Sequence, residues 1–141
     1  MNRNMVLAEW NRAREAQRAA ETLMRDCCHA DAISRAYYVI LHAAKAALHV
    51  HDIAAESHPA VRRLFGLHLV KTGEIEPEWA ACLVESLDDR LAADYDVETS
   101  FSREEAQNEC RRSRDFLKRV NQYLLRNDIP EKELRKRRRS R

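Results

Sequence analysis

Residues that build tight turns are scarce in this sequence, which has two glycines and three prolines among 141 residues. A β-sheet protein needs a turn every few residues, and glycine and proline supply many of the backbone conformations that such turns require. The scarcity therefore argues against a sheet fold. Twenty alanines and a hydrophobic fraction of 45% favour long helices around a packed core instead. We predict an all-α protein.

Long apolar runs and paired cysteine motifs are absent as well. No stretch approaches the roughly 20 apolar residues that span a bilayer, and no secretory signal opens the chain, so we expect a cytoplasmic protein without membrane association. The four cysteines form no CxxC pair. Their spacing favours reduced thiols over a disulfide framework or a structural zinc site. We expect no metal and no cofactor.

Charge is distributed unevenly along the chain. Residues 131–141 contain seven Lys and Arg against two Glu, a charge of +5, which leaves −3 for residues 1–130 because the whole chain carries +2. A slightly acidic body is not typical of a general nucleic-acid-binding domain. The basic run is either a solvated chain end or a segment that neutralises several RNA phosphates.

Apolar residues recur every three or four positions over most of the chain, which is the period of an amphipathic helix. Ser57 and Ser102 are typical N-cap residues, and Gly73 suits the left-handed conformation that ends a helix. The patterns predict one helical domain, residues 1–129, and a basic, flexible tail, residues 130–141. The predicted helices cover about residues 4–27, 30–51, 58–70, the segment from 77 to the loop at 94–100, and 103–126.

Arg90 is the most unusually placed charge in the predicted helices. It follows Leu87 by three residues and Leu83 by seven, so it shares their apolar face. An arginine that faces a core or an interface needs an acceptor, and Asp94 is placed one helical turn later to supply one. Two interpretations stay open. The pair closes the end of a helix, or Arg90 lies in a cleft and binds phosphate.

The second predicted helix carries a polar stripe that contains cations, an aromatic ring and imidazoles. A phosphate-bearing ligand could bind such a row by charge, hydrogen bonds and stacking. The alternative is an ordinary solvated helix face. The members recur at intervals of three and four residues: Arg35, Tyr38, His42, Lys45 and His49.

The segment that contains this stripe, SRAYYVILHAAKAAL at residues 34–48, resembles the second-helix signature of the HEPN family. Three further segments agree in order and spacing, and together they cover roughly residues 5–125. They are Ser57-His58 with Phe65 and LVKTG at 69–73, RLAADY at 90–95, and Asp115-Phe116-Leu117 before a leucine-rich end.

The resemblance implies an up-and-down bundle of four to five antiparallel helices that forms a homodimer. Many family members are toxins that cut RNA without a metal and are paired with a small nucleotidyltransferase antitoxin. Their motif is an Arg and a His separated by four to six residues, in which the His moves a proton and the Arg stabilises charge on the phosphorane. In some members the antitoxin attaches a nucleotide to a Tyr near this motif, and Tyr95 is the corresponding candidate.

This sequence departs from the motif. The residues five to seven positions after Arg90 are Tyr95, Asp96 and Val97, and no His follows anywhere in the chain. Tyrosine has an ordinary pKa near ~10 and is a poor base at neutral pH. The expected catalytic set is therefore Arg90, Asp94 and Tyr95, and Arg35, Tyr38, His42 and Lys45 are the expected RNA or nucleotide contacts. The alternatives are a non-catalytic nucleotide-binding subunit and an interaction module for a partner nucleotidyltransferase.

Overall fold

A computed structural model describes residues 1–136, and these form an all-α bundle without strands. The predicted fold class is confirmed. The helices are α1 (Arg3–Arg25), α2 (His29–His49), α3 (His58–Phe65), α4 (Pro77–Tyr95), α5 (Arg103–Arg126) and α6 (Glu131–Arg135). None of the helices in this part of the chain is long and apolar enough to cross a membrane.

Helix α2 is the centre of the bundle and packs against α1, α4 and α5. Its alanines explain the close packing, because small side chains let neighbouring helices approach. Four of them near its C-terminal end are fully buried: Ala43, Ala44, Ala46 and Ala47. Larger side chains such as Tyr37, Phe65 and Phe116 complete the core.

Several helix boundaries follow the predicted capping residues. The Ser57 hydroxyl accepts a hydrogen bond from Ala60 N at 3.2 Å, and Ser102 forms a complete capping box with Glu105. Gly73 adopts φ +80°, the left-handed conformation expected at this stop. These local rules place α3 and α5 at the positions that the sequence indicates.

Other boundaries differ from the prediction. Helix α1 ends at Arg25 because Cys27 adopts φ 59° and its neighbour Cys28 N donates back to Leu23 O at 2.8 Å. The helix predicted over 58–70 changes at Gly66 into a π-helical turn, Gly66–Val70, in which Lys71 N donates to Gly66 O. Helix α4 continues through Asp94 to Tyr95, where we predicted a loop.

The largest difference lies after Pro130, where the sequence predicted a flexible tail. Residues Glu131–Arg135 instead form α6, and its Leu134 is buried in the main core. The Trp10 indole donates to Leu134 O at 2.9 Å, and Arg14 donates to the same oxygen at 2.8 Å. The buried leucine and these two hydrogen bonds attach α6 to α1. The rest of the predicted tail, residues 137–141, lies outside the described residues.

Candidate functional site

Arg90 lies near the C-terminal end of α4 with its side chain only 14% exposed. Its Nε is 2.8 Å from Asp94 Oδ2, an ion pair that lacks the angle of a good hydrogen bond. Its Nη2 donates to the Tyr38 hydroxyl at 3.1 Å. The guanidinium carbon also lies 5.5 to 6.0 Å from the ring centroids of three tyrosines: Tyr37, Tyr38 and Tyr95. The arginine is thus held by one carboxylate and a cage of aromatic rings.

Tyr38 connects Arg90 with the polar stripe of α2. The Arg35 guanidinium carbon lies 5.5 Å from the Tyr38 ring centroid, the same distance as that of Arg90. His42 stacks on the ring with a centroid distance of 6.3 Å. The structure therefore brings together four of the predicted residues, which we call the arginine–tyrosine cluster: Arg35, Tyr38, Arg90 and Asp94.

Two further stripe residues, His42 and Lys45, are oriented toward α1. His42 Nδ1 lies 2.7 Å from Glu9 Oε2, and Lys45 Nζ lies 3.4 Å from Glu9 Oε1. Burial raises the pKa of Glu9, but the hydrogen bond from His42 and the charge of Lys45 outweigh it and leave the pKa below its ordinary value. Lys45 and His42 thus both contact a carboxylate at the edge of the cluster.

Two grooves flank the arginine–tyrosine cluster. One of about 500 Å³ is lined by Leu23, Asp31, Ser34, Arg35, Tyr38 and Asp94. The other, of about 320 Å³, is lined by Arg12, Glu15, Ala16, Ala19, Arg35, Tyr38 and His42. Arg35 and Tyr38 line both grooves, so a ligand in either groove contacts them.

His58 is the site residue that sequence reasoning missed. Its Nδ1 is hydrogen-bonded to the hydroxyl of Tyr37, whose ring faces Arg90. Burial, and secondarily the positive charges of Arg90 and Lys45, lower the pKa of His58. The imidazole is therefore neutral at neutral pH. In the sequence, Ser57 is a predicted N-cap and Ser57-His58 is part of the family resemblance. No local pattern connects His58 with Arg90.

The hydrogen bond to Tyr37 occupies one nitrogen of His58. Burial raises the pKa of Tyr37 to about 12, so its phenol stays protonated. The phenol and Nδ1 are hydrogen-bonded to each other, and either can be the donor because a phenol donates and accepts. Nε2 is therefore the nitrogen of His58 that is left to bind another group.

Tyr95 lies beside Arg90 but points largely into solvent. Its side chain is exposed by 71%, and nearby Leu91 and Val97 are exposed by 41% and 95%. Three apolar or aromatic side chains thus stand uncovered next to the cluster. Among the described residues, no group of three or more His, Cys, Asp and Glu side chains is placed to hold a metal ion.

Comparison with known proteins identifies relatives of this chain. "Putative toxin MJ0605" of Methanocaldococcus jannaschii is 33% identical over 112 residues, which span 79% of this chain and 83% of that protein. A second protein of that organism with the same kind of name, MJ0142, is 29% identical over 118 residues, or 84% of this chain and 80% of its own length. A UPF0332 protein of Gloeobacter violaceus is 28% identical over 115 residues, 81% of this chain and 91% of that protein.

The sequence pattern of one protein family matches most of the bundle described above. The HEPN domain matches residues 7–123, from the first turns of α1 to the last turn of α5. That range includes the arginine–tyrosine cluster, His58 and the exposed end of α4. The resemblance read from the second helix and the RLAADY segment is thereby confirmed, and the chain belongs to the HEPN family.

Proposed function

We propose that this chain is a toxin-like HEPN protein that binds single-stranded RNA at the arginine–tyrosine cluster. The observation that carries the proposal is the pair of guanidinium groups, from Arg35 and Arg90, that both lie 5.5 Å from the ring of Tyr38. Guanidinium groups bind phosphate through paired N–H donors, and an aromatic ring supplies a surface for a base. The two flanking grooves give room for nucleotides on both sides of the ring.

The two arginines have different parts in this proposal. Arg35 is exposed, and its one recorded contact within residues 1–136 is the ring of Tyr38. It is free to bind a phosphate directly. Arg90 is held by Asp94 and Tyr38, so it keeps a fixed position and adds positive charge beneath the ring. His58 Nε2 adds a hydrogen-bonding group near Arg90.

The geometry favours binding over cleavage. Attack of an RNA 2′-hydroxyl on the adjacent phosphorus needs a base for the hydroxyl proton. Within residues 1–136 no imidazole contacts Arg90 directly, since His58 is hydrogen-bonded to Tyr37 and His42 to Glu9, and Tyr95 is a phenol. We therefore expect wild-type protein and the Arg90→Ala variant to leave RNA equally intact, with or without a chelator. Cleavage that depends on Arg90 would show that the chain is an endoribonuclease after all.

RNA binding is tested by fluorescence anisotropy with a short labelled single-stranded RNA. Loss of one charge-assisted phosphate contact should weaken binding of Arg35→Gln by roughly tenfold. The control is Arg126→Gln, which removes the same charge from the far end of α5. Equal affinities for wild type and Arg35→Gln would overturn the proposal. Binding of a mononucleotide without binding of RNA would favour the nucleotide-binding subunit instead.

The proposed functional form is a homodimer. Support comes from the exposed Leu91, Tyr95 and Val97, which follow each other closely in the chain at the end of α4. Closing this surface against a second copy would remove it from water and would bring two clusters near each other.

A small nucleotidyltransferase is the proposed partner. Two relatives are named as toxins, and the family resemblance associates such toxins with a transferase antitoxin. Exposed Tyr95 is the residue on which we expect modification. Its phenolic oxygen would bond to the α-phosphorus of a nucleoside triphosphate, with release of pyrophosphate and the phenol proton. Co-expression with a small nucleotidyltransferase, if one is encoded by a neighbouring gene, should give a stable complex and a nucleotide mass increment that is lost in Tyr95→Phe.

A further inference from the structure

A third groove, of about 510 Å³, runs between α1 and α5. We call it the α1–α5 groove. Met24 and Arg25, at the C-terminal end of α1, line it. The residue before them, Leu23, lines the groove that flanks Arg35. Neither the HEPN motif nor the stripe of α2 includes residues of the α1–α5 groove.

The α1–α5 groove concentrates positive charge in a slightly acidic body. Four arginines line it against a single carboxylate, that of Glu21: Arg25, Arg103, Arg111 and Arg114. Within residues 1–136, the arginines that form ion pairs with a carboxylate lie outside the groove. They are Arg90, Arg112, Arg119 and Arg135.

Helix α5 separates its arginines by face. Arg112 lies within 3.1 to 3.6 Å of the carboxylates of Glu85, Asp89 and Glu109, which hold it against α4. The neighbouring Arg111 lies on a different face of α5 and lines the groove. Since acceptors for ion pairs are plentiful on one face and nearly absent on the other, the groove arginines are placed to receive an anion from outside the chain.

The groove suits an extended polyanion better than a compact one. Arg103, Gln107, Arg111 and Arg114 follow each other at spacings of four, four and three on α5, so they form a row about 16 Å long. Ala20 and Met24 give the groove an apolar floor. No aromatic ring lines it, so it offers no surface on which a base could stack.

We propose that the α1–α5 groove binds the phosphodiester backbone of single-stranded RNA, without regard to base sequence, and extends the path of the strand beyond the arginine–tyrosine cluster. The proposal rests on the proposed function for the identity of the polymer. Arginine is the preferred residue for phosphate because its planar fork matches two phosphate oxygens. In this proposal a base of the RNA stacks in the cluster, and the groove binds the phosphates of the backbone.

The test is the salt dependence of RNA binding by the double variant Arg111→Gln/Arg114→Gln. Each lost phosphate contact on a single strand lowers the slope of log K against log salt by about 0.7, so the double variant should lose about 1.4. The loss should be equal for two RNAs of unrelated sequence. The control is Lys71→Gln/Arg126→Gln, which removes the same charge from exposed positions outside the groove and should leave the slope near that of wild type.

An unchanged slope in the double variant, or one that equals that of the control pair, would overturn the groove proposal. Arg35→Gln separates this failure from that of the proposed function. If Arg35→Gln binds RNA normally and the groove variant does not, the cluster proposal fails and the groove proposal holds. If polyglutamate binds wild type and the control pair as tightly as RNA does, and binds Arg111→Gln/Arg114→Gln weakly, the groove accepts acidic protein segments and the RNA assignment falls. Circular dichroism confirms that each variant folds.

Discussion

At the scale of single residues, the main question is what the ion pair between Arg90 and Asp94 does. The interpretation as a helix-end pair describes its position, and phosphate binding by Arg90 stays a prediction. The pair joins residues one turn apart at the end of α4, and the same guanidinium reaches Tyr38 on α2. A partly buried arginine needs this acceptor, yet a carboxylate beside a phosphate site also repels the ligand.

Replacing Asp94 distinguishes a structural pair from one that also tunes a phosphate site. We expect Asp94→Asn to lower the free energy of unfolding by about 1 to 2 kcal/mol, because Arg90 loses its charged partner. We also expect RNA affinity to rise roughly fivefold, the equivalent of about 1 kcal/mol, because a negative charge leaves the site. Urea denaturation and anisotropy measure the two quantities. Lower stability with unchanged affinity would show that the pair is structural only.

His58 should make stability depend on pH in a defined direction. Its pKa in the folded chain lies below the value near ~6.5 of an unfolded histidine. As the pH falls below about 6.5, the unfolded chain binds a proton that the folded chain resists, so stability decreases until the folded pKa is passed. His58→Asn keeps an acceptor for Tyr37 and should lack this part of the decrease.

The measurement is urea denaturation of wild type and His58→Asn from neutral to acidic pH. His68→Asn serves as a control for the loss of an imidazole elsewhere. Parallel stability curves for wild type and His58→Asn would contradict the assignment.

The sequence predicts those contacts that depend on helical spacing. The Arg90–Asp94 pair and the stripe from Arg35 to Lys45 follow from intervals of three and four residues along one helix. The contact of Tyr38 with Arg90 and that of Tyr37 with His58 join different helices, so no local pattern contains them. The same limit applies to the α1–α5 groove, whose arginines are unremarkable until two helices are packed together.

At the scale of helices, the boundaries show which signals are local. Ser57, Ser102 and Gly73 set helix ends through contacts or backbone angles within a few residues, so the sequence predicts these ends well. The end of α1 at Arg25 depends on a left-handed Cys27, which is an uncommon residue for that conformation. Helix α6 depends on burial of Leu134 beside Trp10, a contact between the two ends of the chain.

Leu134 should therefore contribute to the stability of the whole bundle. Leu134→Ala removes a side chain that is 2% exposed, and we expect a loss of about 2 to 3 kcal/mol in the free energy of unfolding. Leu125→Ala, at a position 40% exposed, should cost less than about 1 kcal/mol. Urea denaturation followed by tryptophan fluorescence measures both. Equal losses would mean that α6 is not part of the cooperative core.

At the scale of the whole molecule, positive charge and apolar surface both lie around the end of α1 and the end of α4. The α1–α5 groove and a groove that flanks the arginine–tyrosine cluster are both lined by residues near the end of α1, and exposed Leu91, Tyr95 and Val97 lie near the end of α4. One end of the bundle thus carries the proposed RNA path and the proposed dimer surface. A dimer through this surface would place two RNA paths side by side.

The dimer surface is tested by one charged substitution. Leu91→Asp puts a carboxylate into the apolar patch, and we expect it to convert a dimer into a monomer because burying an unpaired charge is costly. Leu67→Asp, at a position 44% exposed in the π-helical turn, is the matched control and should leave the dimer intact. Sedimentation velocity gives the masses. A monomeric wild type, or a dimeric Leu91→Asp, would rule out this interface.

The central claim is that Arg35 and Arg90 bind RNA together around Tyr38. The most direct measurement is an NMR titration that follows the arginine Nε–H resonances while single-stranded RNA is added. We predict that the Arg35 and Arg90 signals shift and saturate with the affinity found by anisotropy, while the Arg126 signal stays in place. Saturation of binding with neither the Arg35 nor the Arg90 signal displaced would contradict the account.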